Sequence, residues 1–316
     1  MLSDSRFAMK SASMGLFLWS SFLSTIIGAT TTLLTTEKVD WSVDVPCFDM
    51  NYVERYNAPV GCITKRCGRR VVDGLFAPTD IDKLLAIAEK GLSTRPKNLG
   101  GPTIVDINTG YIRDSKGLDN LFMKNNVIYS EDDFTTYGDI IRRLRIAVMD
   151  HFELSDLYFT TPTFITRLDG NESWQPEGIH DEYWHVHADR NNTEHYHYSG
   201  LLYLSNYNQD FTGGLLKFFS ANNPDIEEQI VQPAAGRVIM FTSGPENPHV
   251  VERVTSGERF VLSFWFTCNV AREFEIFLDG KSHIAFSEKT KAKLVQQHKQ
   301  QQQQQQQQRQ SNQQEL

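Results

Sequence analysis

The chain has 316 residues, a net charge of -8, and 40% hydrophobic against 22% charged residues. That composition suits a folded body with a packed core. It lacks the basic footprint of a nucleic-acid binder, so no nucleic-acid partner is expected.

Arg6 and Lys10 lie in residues 1–10, while residues 11–36 carry no charge and include Gly15-Leu16-Phe17-Leu18-Trp19 and Ile26-Ile27. A run of about 20 apolar residues crosses a bilayer. Two readings compete: a signal peptide cleaved after a small residue such as Ala29, and an uncleaved signal anchor. The length of the segment favours the anchor, although Ser and Thr dilute its hydropathy. Glu37 and Asp40 follow it. The positive-inside rule then leaves residues 1–10 in the cytosol as a short tail and the body in the lumen. The expectation is therefore a single-pass type II membrane protein of the secretory pathway; cleavage would make it secreted instead.

Residues 37–70 read as a polar, irregular stalk holding Cys47, Cys62 and Cys67. In a lumen, a disulfide among these three is expected. Zinc is disfavoured by the irregular spacing and the lack of a nearby histidine. Cys268 lies in an apolar run and reads as a buried thiol. The triplets Asn171-Glu172-Ser173 and Asn191-Asn192-Thr193 are glycosylation sequons, as a lumenal glycoprotein would carry.

Residues 71–157 read as a helical support region. Thr79 can cap a helix with Asp82 three residues on. Leu84, Leu85, Ile87 and Ala88 give that helix an apolar face, and Gly91 closes it. A second helix is expected from Gly138 to His151, where Ile140, Ile141, Leu144, Ala147 and Val148 recur at helical spacing. Across residues 158–270, short β-rich runs alternate with turn residues: 163–168, 183–188, 198–205, 215–219, 228–232, 236–241, 249–254 and 259–267. Helices first and closely spaced strands after predict an α+β fold, a barrel or jelly roll braced by the N-terminal helices. Residues 271–316 form a tail whose glutamine tract, Gln300 to Gln308, has nothing to bury and reads as disordered.

His185, His187 and Asp189 alternate along a predicted strand, the 183–188 run and the residue after it, which places them on one face. His187-Ala188-Asp189 is an H-x-D pair, and its third partner must come from elsewhere. His249, in Asn247-Pro248-His249-Val250, is the strong candidate. Two imidazoles and a carboxylate on one face of an octahedron leave three positions open, the arrangement of non-haem iron(II) oxygenases. A closed four-ligand zinc site lacks those positions. Arg259, in Gly257-Glu258-Arg259-Phe260-Val261, is a cation on a strand beside this cluster and can grip a carboxylate bidentately. His185 reads as a neighbour of the metal or a surface residue, His195 and His197 as flanking or solvent positions, and His180 as a loop residue. Trp265 and the apolar run 201–204 read as core.

The two halves of this pattern are joined by Leu202-Tyr203-Leu204-Ser205, Gly213-Gly214 and Pro233-Ala234-Ala235-Gly236-Arg237. Over residues 160–268 the order resembles the catalytic domain of the prolyl 4-hydroxylase-like 2-oxoglutarate/iron(II) dioxygenases. The resemblance implies a double-stranded β-helix with Fe(2+) on His187, Asp189 and His249. It implies 2-oxoglutarate held through Arg259, and L-ascorbate to keep the iron reduced. The implied reaction couples substrate oxidation to decarboxylation of 2-oxoglutarate to succinate and CO2; in the nearest cases the substrate is a protein side chain.

Two departures stand out. Arg259 occupies the place where collagen-type enzymes carry lysine, and Leu168 the place where they carry tyrosine. Tyr203 is the residue expected to supply the missing co-substrate contact. A rival reading is a catalytically degenerate lumenal binding module on the same fold, against which stands the presence of all four key residues. A metal hydrolase is the other rival, and it lacks an H-E-x-x-H helix. The residues name no substrate and no oligomeric state.

Overall fold

The computed structural model describes residues 30–48, 58–97, 100–122, 129–176 and 182–274. Strands β1 (Thr31–Leu33), β2 (Asp40–Val45) and β3 (Cys67–Val72) come first. Helix α1 (Pro78–Leu92) follows, then a meander of β4 (Gly101–Val105), β5 (Tyr111–Asp114) and β6 (Gly117–Asn120). Helix α2 (Glu131–Phe152) leads to β7 (Tyr158–Phe159) and β8 (Phe164–Asp169). A single helical turn, α3 (Asp189–Asn192), precedes β9 (Tyr198–Tyr203), β10 (Phe211–Gly213) and β11 (Leu216–Phe219). The last strands are β12 (Glu227–Val231), β13 (Val238–Thr242), β14 (His249–Val251) and β15 (Val254–Thr267).

The strands form two sheets. The larger runs β2-β3-β13-β9-β15-β8-β4-β5-β6, with β7 and β10 also paired to β15; the smaller runs β1-β12-β11-β14. The long strand β15 explains the layering. Its even positions, Phe260, Leu262, Phe264 and Phe266, are buried with Leu84 and Ile87 of α1 and Ile140, Ile141 and Leu144 of α2. Each such side chain contributes roughly 1.5–3 kcal/mol by leaving water. Odd positions face the other way. Val261 joins Val71, Ile239 and Phe241 of the large sheet against Leu216, Phe218 and Val231 of the small one. The large sheet is therefore covered on both faces, which is why β13 reads as the unbroken run Val-Ile-Met-Phe-Thr, buried throughout. Two face-to-face sheets with helices behind the larger one make a jelly roll braced by helices, mostly sheet with few helices.

Several expectations are corrected. The described residues of the expected stalk, 37–48 and 58–70, are packed into the body. β2 pairs with β3 and β3 with β13, extending the large sheet. Asp40-Trp41-Ser42-Val43-Asp44-Val45 alternates exposed with half-buried positions, the pattern of an edge strand. The expected anchor also reaches too far, because Thr31–Leu33 pairs with β12. Arg237 fixes the link between β1 and β2: its Nη2 donates to Leu34 O at 3.0 Å and Glu37 O at 2.9 Å, and pairs with Asp73 at 2.9 Å. Residues 11–29 and the glutamine tract lie outside the described residues. Among the described residues, no helix is long and apolar enough to cross a membrane.

Helix α1 starts before Thr79, with Pro78 at its first position and the Asp80 carboxylate accepting from Ala77 N at 3.2 Å. Helix α2 starts seven residues before the expected Gly138, since 138 − 131 = 7. Ser130 and Asp133 form a reciprocal capping box, with Asp133 N on Ser130 Oγ at 3.2 Å and Ser130 N on the Asp133 carboxylate at 2.8 Å. Glu131, Asp132 and Asp133 fill the first turn, which suits the helix dipole but hides the helix from a hydrophobic-spacing search.

Cys47 is bonded to Cys67, within the expected cluster. Cys268 is not a free thiol. It is bonded to Cys62, because the 3-10 turn Val60–Cys62 packs against the end of β15 and both sulfurs are buried there.

Candidate functional site

His187 and His249 exchange both backbone hydrogen bonds: His187 N–H donates to His249 O at 2.9 Å, and His249 N–H to His187 O at 2.8 Å. This one bridge ties the loop before α3 to β14. The expected strand at 183–188 is otherwise absent. Tyr183 and Trp184 pack edge to face at 5.1 Å, and the His185 ring folds back to Glu182 O at 2.7 Å, so the segment coils. Asp189 then enters as the first residue of α3. The H-x-D pair thus converges through a loop and a helical turn instead of along a strand.

The Asp189 Oδ1 atom lies 3.5 Å from His187 Nε2 and 3.9 Å from His249 Nε2. The three candidate ligand atoms all lie within 4.8 Å of one another. Both rings are held in the useful tautomer. His187 Nδ1 faces His185 O at 3.0 Å, and His249 Nδ1 faces Asn247 O at 3.0 Å. A carbonyl can only accept, so each Nδ1 carries the proton and each Nε2 presents a lone pair. The third group is oriented too: Trp265 Nε1 donates to Asp189 Oδ2 at 3.0 Å, leaving Oδ1 toward the histidines.

The charges are set by the surroundings. Burial pushes the Asp189 carboxyl up, but in the metal-free site a proton held between it and His187 Nε2, the His249 charge and the Ser199 hydroxyl outweigh it and bring it down to about 2; a cation would take that proton's place and meet the Nε2 lone pair. Burial holds His249 below the ordinary histidine range despite Asp189. One ionised carboxylate and two imidazole nitrogens form a donor set for a divalent cation, with no fourth side chain among the described residues to close it.

Arg259 lies on β15 in the same cavity. It is 1% exposed, its Nε donates to Gly214 O at 3.0 Å, and its guanidinium sits 5.0 Å over the Tyr203 ring. Its Nη2 is buried without a hydrogen-bond partner among the described residues. A buried cationic donor left open is costly unless an anion fills it. Gly214 explains the Gly213-Gly214 motif: at φ +65 a Cβ there would lie 2.8 Å from Arg259 Cδ. The cavity measures about 250 Å³, and the four residues above share it with Ser199, Thr166, Ser263 and Tyr183 and with apolar walls from Ile104, Phe164, Leu168, Leu201 and Trp265. The donor set therefore fits a divalent ion, and the orphan guanidinium fits the carboxylate of a small dianion sharing the cavity.

Tyr203 is not among the cavity-lining residues. It is 0% exposed beneath Arg259, so the expected contact with a co-substrate becomes a contact with the arginine. Leu168 does line the cavity, directly across the sheet from Arg259. His185 is exposed, but its carbonyl holds the His187 ring. His195 is half-buried, whereas His197 is buried, not solvent-facing as expected, and its Nδ1 accepts from Cys268 N at 3.0 Å. His180 lies outside the described residues. Trp265, expected in the core, is a wall of the cavity. Its signal was present in the sequence: Arg259, Val261, Ser263 and Trp265 share one face at period two, and all four line the cavity. Asn247 and Arg69 carried no such signal.

These observations outline a candidate metal-and-anion site in a jelly roll, and the chain belongs to the 2OG-Fe(II) oxygenase superfamily. The model of that superfamily matches residues 177–267. A relative from Rattus norvegicus, "2-oxoglutarate and iron-dependent oxygenase domain-containing protein 3", is 38% identical over 234 residues, covering 72% of this chain and 71% of that protein. Prolyl 3-hydroxylase 3 from Mus musculus is 50% identical over 70 residues, 22% of this chain and 9% of that protein. Among solved structures, a prolyl hydroxylase in complex with a hypoxia inducible factor oxygen degradation domain peptide fragment from Trichoplax adhaerens aligns with TM-score 0.44 at 14% identity, covering 65% of this chain and 85% of that one. The superfamily uses Fe(2+) and 2-oxoglutarate, and membership in it supports an oxidoreductase.

Proposed function

We propose that the chain is an active Fe(2+)- and 2-oxoglutarate-dependent dioxygenase that hydroxylates protein side chains. The observation that carries this reading is one cavity holding both an open three-ligand cluster and a buried guanidinium whose Nη2 has no hydrogen-bond partner among the described residues. His187, Asp189 and His249 would hold Fe(2+) through Nε2, Oδ1 and Nε2, and Arg259 would receive the far carboxylate of 2-oxoglutarate. Bound there, iron and 2-oxoglutarate supply the activation of dioxygen and the oxidising power.

The chain's own residues do the rest. Carbonyl acceptors at His185 and Asn247 lock the two rings. Trp265 and Ser199 hold the Asp189 carboxylate ionised and turned toward them. Phe164, Leu168, Leu201 and Trp265 keep water from the cavity. The apolar walls suit an aliphatic side chain as substrate, and the stretch that matches a prolyl 3-hydroxylase supports the same class. L-ascorbate as reductant belongs to this reading. So does a lumenal, type II placement through residues 11–36, which the pairing of all four cysteines supports.

The test is calorimetric titration of 2-oxoglutarate into the Fe(2+)-loaded protein. Binding in the native protein, at least about tenfold weaker in Arg259→Ala and lost in His187→Ala, supports the assignment. A folded, iron-loaded protein that ignores 2-oxoglutarate would instead be a degenerate binding module.

A further inference from the structure

All four cysteines are paired, Cys47 with Cys67 and Cys62 with Cys268, the state of a chain that folds in an oxidising lumen. Such a chain meets the machinery that attaches glycans to Asn-x-Ser/Thr triplets. The fold keeps a glycan only where the asparagine amide stays in solvent, and the two sequons differ in this respect.

Asn171 is half-buried in a clamped turn. Its Oδ1 accepts from Ser173 N at 3.0 Å and from Ser173 Oγ at 2.7 Å, so the sequon's own hydroxyl is engaged. Its carbonyl accepts from Arg253 Nη2 at 3.1 Å, and that guanidinium lies 5.1 Å over the Trp184 ring.

Asn191 and Asn192 are both exposed, whereas Asp189 and Arg190 in the same turn are buried. The turn is closed by backbone alone, Asn191 N on Ala188 O at 3.0 Å and Thr193 N on Asp189 O at 2.9 Å. The Asn191 side chain makes no hydrogen bond among the described residues. Nothing in the turn needs its amide, and no described residue covers it.

We infer that Asn191 carries an N-linked glycan, rising from the outer side of the turn whose inner side presents Asp189. The inference rests on the lumenal placement proposed above. A bulky hydrophilic group two residues from Asp189 keeps large partners from docking over that turn, and it makes this face unsuited to a protein interface.

The experiment uses the full chain expressed in mammalian secretory cells. Enzymatic deglycosylation in heavy-oxygen water, followed by mass spectrometry of the peptide containing residue 191, reads occupancy directly. Asn191→Gln and Thr193→Ala should both remove the corresponding mobility shift. Protease protection in microsomes and a free-thiol count report the compartment separately. A protected, thiol-free chain labelled at Asn191 is the expected result. A protected, thiol-free chain bare at Asn191, whatever the state of Asn171, overturns the inference and leaves the lumenal placement standing. A protease-accessible chain with free thiols overturns the placement and the inference with it.

Discussion

Arg69 donates from Nε to Asn247 Oδ1 at 2.7 Å, and the Asn247 carbonyl in turn receives the Nδ1 proton of His249. The arginine comes from β3, far from the site in sequence. It is 1% exposed, is paired with Glu228 at 2.6 Å, and lies 4.7 Å over the Phe218 ring, which packs at 5.6 Å from the His249 ring. The Asn247 amide is also bonded to Thr242 O at 2.8 Å and Thr242 Oγ1 at 2.9 Å. Arg69 therefore acts through Asn247 to aim an imidazole. Arg69→Met keeps most of the bulk and removes the donor. It should weaken Fe(2+) binding by roughly 10- to 100-fold, read by metal titration of the folded protein.

Trp265 steers the carboxylate ligand in the same way. With Nε1 on Asp189 Oδ2 at 3.0 Å, the carboxylate offers one oxygen to a metal. Trp265→Phe frees the second. Metal affinity should fall by roughly 10- to 100-fold, and the spectrum of the Co(2+)-loaded protein should report a changed coordination. Tyr196, stacked on the indole at 5.1 Å, limits collapse in the variant.

Arg259 should decide co-substrate affinity while leaving the metal alone. A hydrogen bond to a charged group contributes about 1.5–3 kcal/mol, so Arg259→Ala should raise the KM for 2-oxoglutarate by roughly 10- to 150-fold. Arg259→Lys should recover only part of this, because an ammonium lacks the planar fork and cannot also reach Gly214 O. Unchanged Fe(2+) binding separates this loss from a folding defect.

Acid should loosen the fold through His197. Burial, with the charge of Arg190, lowers this imidazole from 6.5 to about 3. Its Nδ1 accepts from Cys268 N, which requires the neutral ring. The folded-state value lies below the unfolded one, so between pH 6.5 and about pH 3 the unfolded chain binds more protons. Stability due to His197 is fully present above pH 6.5, falls as the pH drops through that window, and levels off near pH 3. His197→Asn, which keeps an acceptor near the Nδ1 position, should flatten that part of the curve in denaturant unfolding measured from pH 7 to pH 4.

The Cys62–Cys268 bond joins residues 206 apart in sequence. Closing a loop that long removes much of the freedom of the unfolded chain. A Cys62→Ser/Cys268→Ser variant should lose about 2–5 kcal/mol in urea unfolding, with a smaller loss for Cys47→Ser/Cys67→Ser, whose loop spans 20 residues.

The chemistry of this chain was more legible than its local geometry. His187, Asp189, His249 and Arg259 stood out because two imidazoles, a carboxylate and a strand cation are rarely placed together by packing alone. Their route together was not legible: H-x-D spacing suits a strand, but the Tyr183–Trp184 packing and the His185 fold-back put Asp189 on a helical turn. β2 was missed because an edge strand is polar on one side, and β3 because Cys67-Gly68-Arg69-Arg70 reads as linker although the strand is paired on both sides and Arg69 is buried. Helix α2 was cut short because its capping turn is acidic. Arg69 was beyond reach, since its role depends on β3 lying beside β13, which places it next to Asn247.

The central claim is turnover. The most direct measurement is succinate release by the purified chain with Fe(2+), 2-oxoglutarate and L-ascorbate, set beside His187→Ala and Asp189→Ala at equal folded concentration. Slow succinate formation without added substrate is expected, requiring both iron and oxygen and disappearing in both variants. Succinate formed equally by the variants, or none from a native protein that binds both iron and 2-oxoglutarate even when candidate protein substrates are supplied, would contradict it.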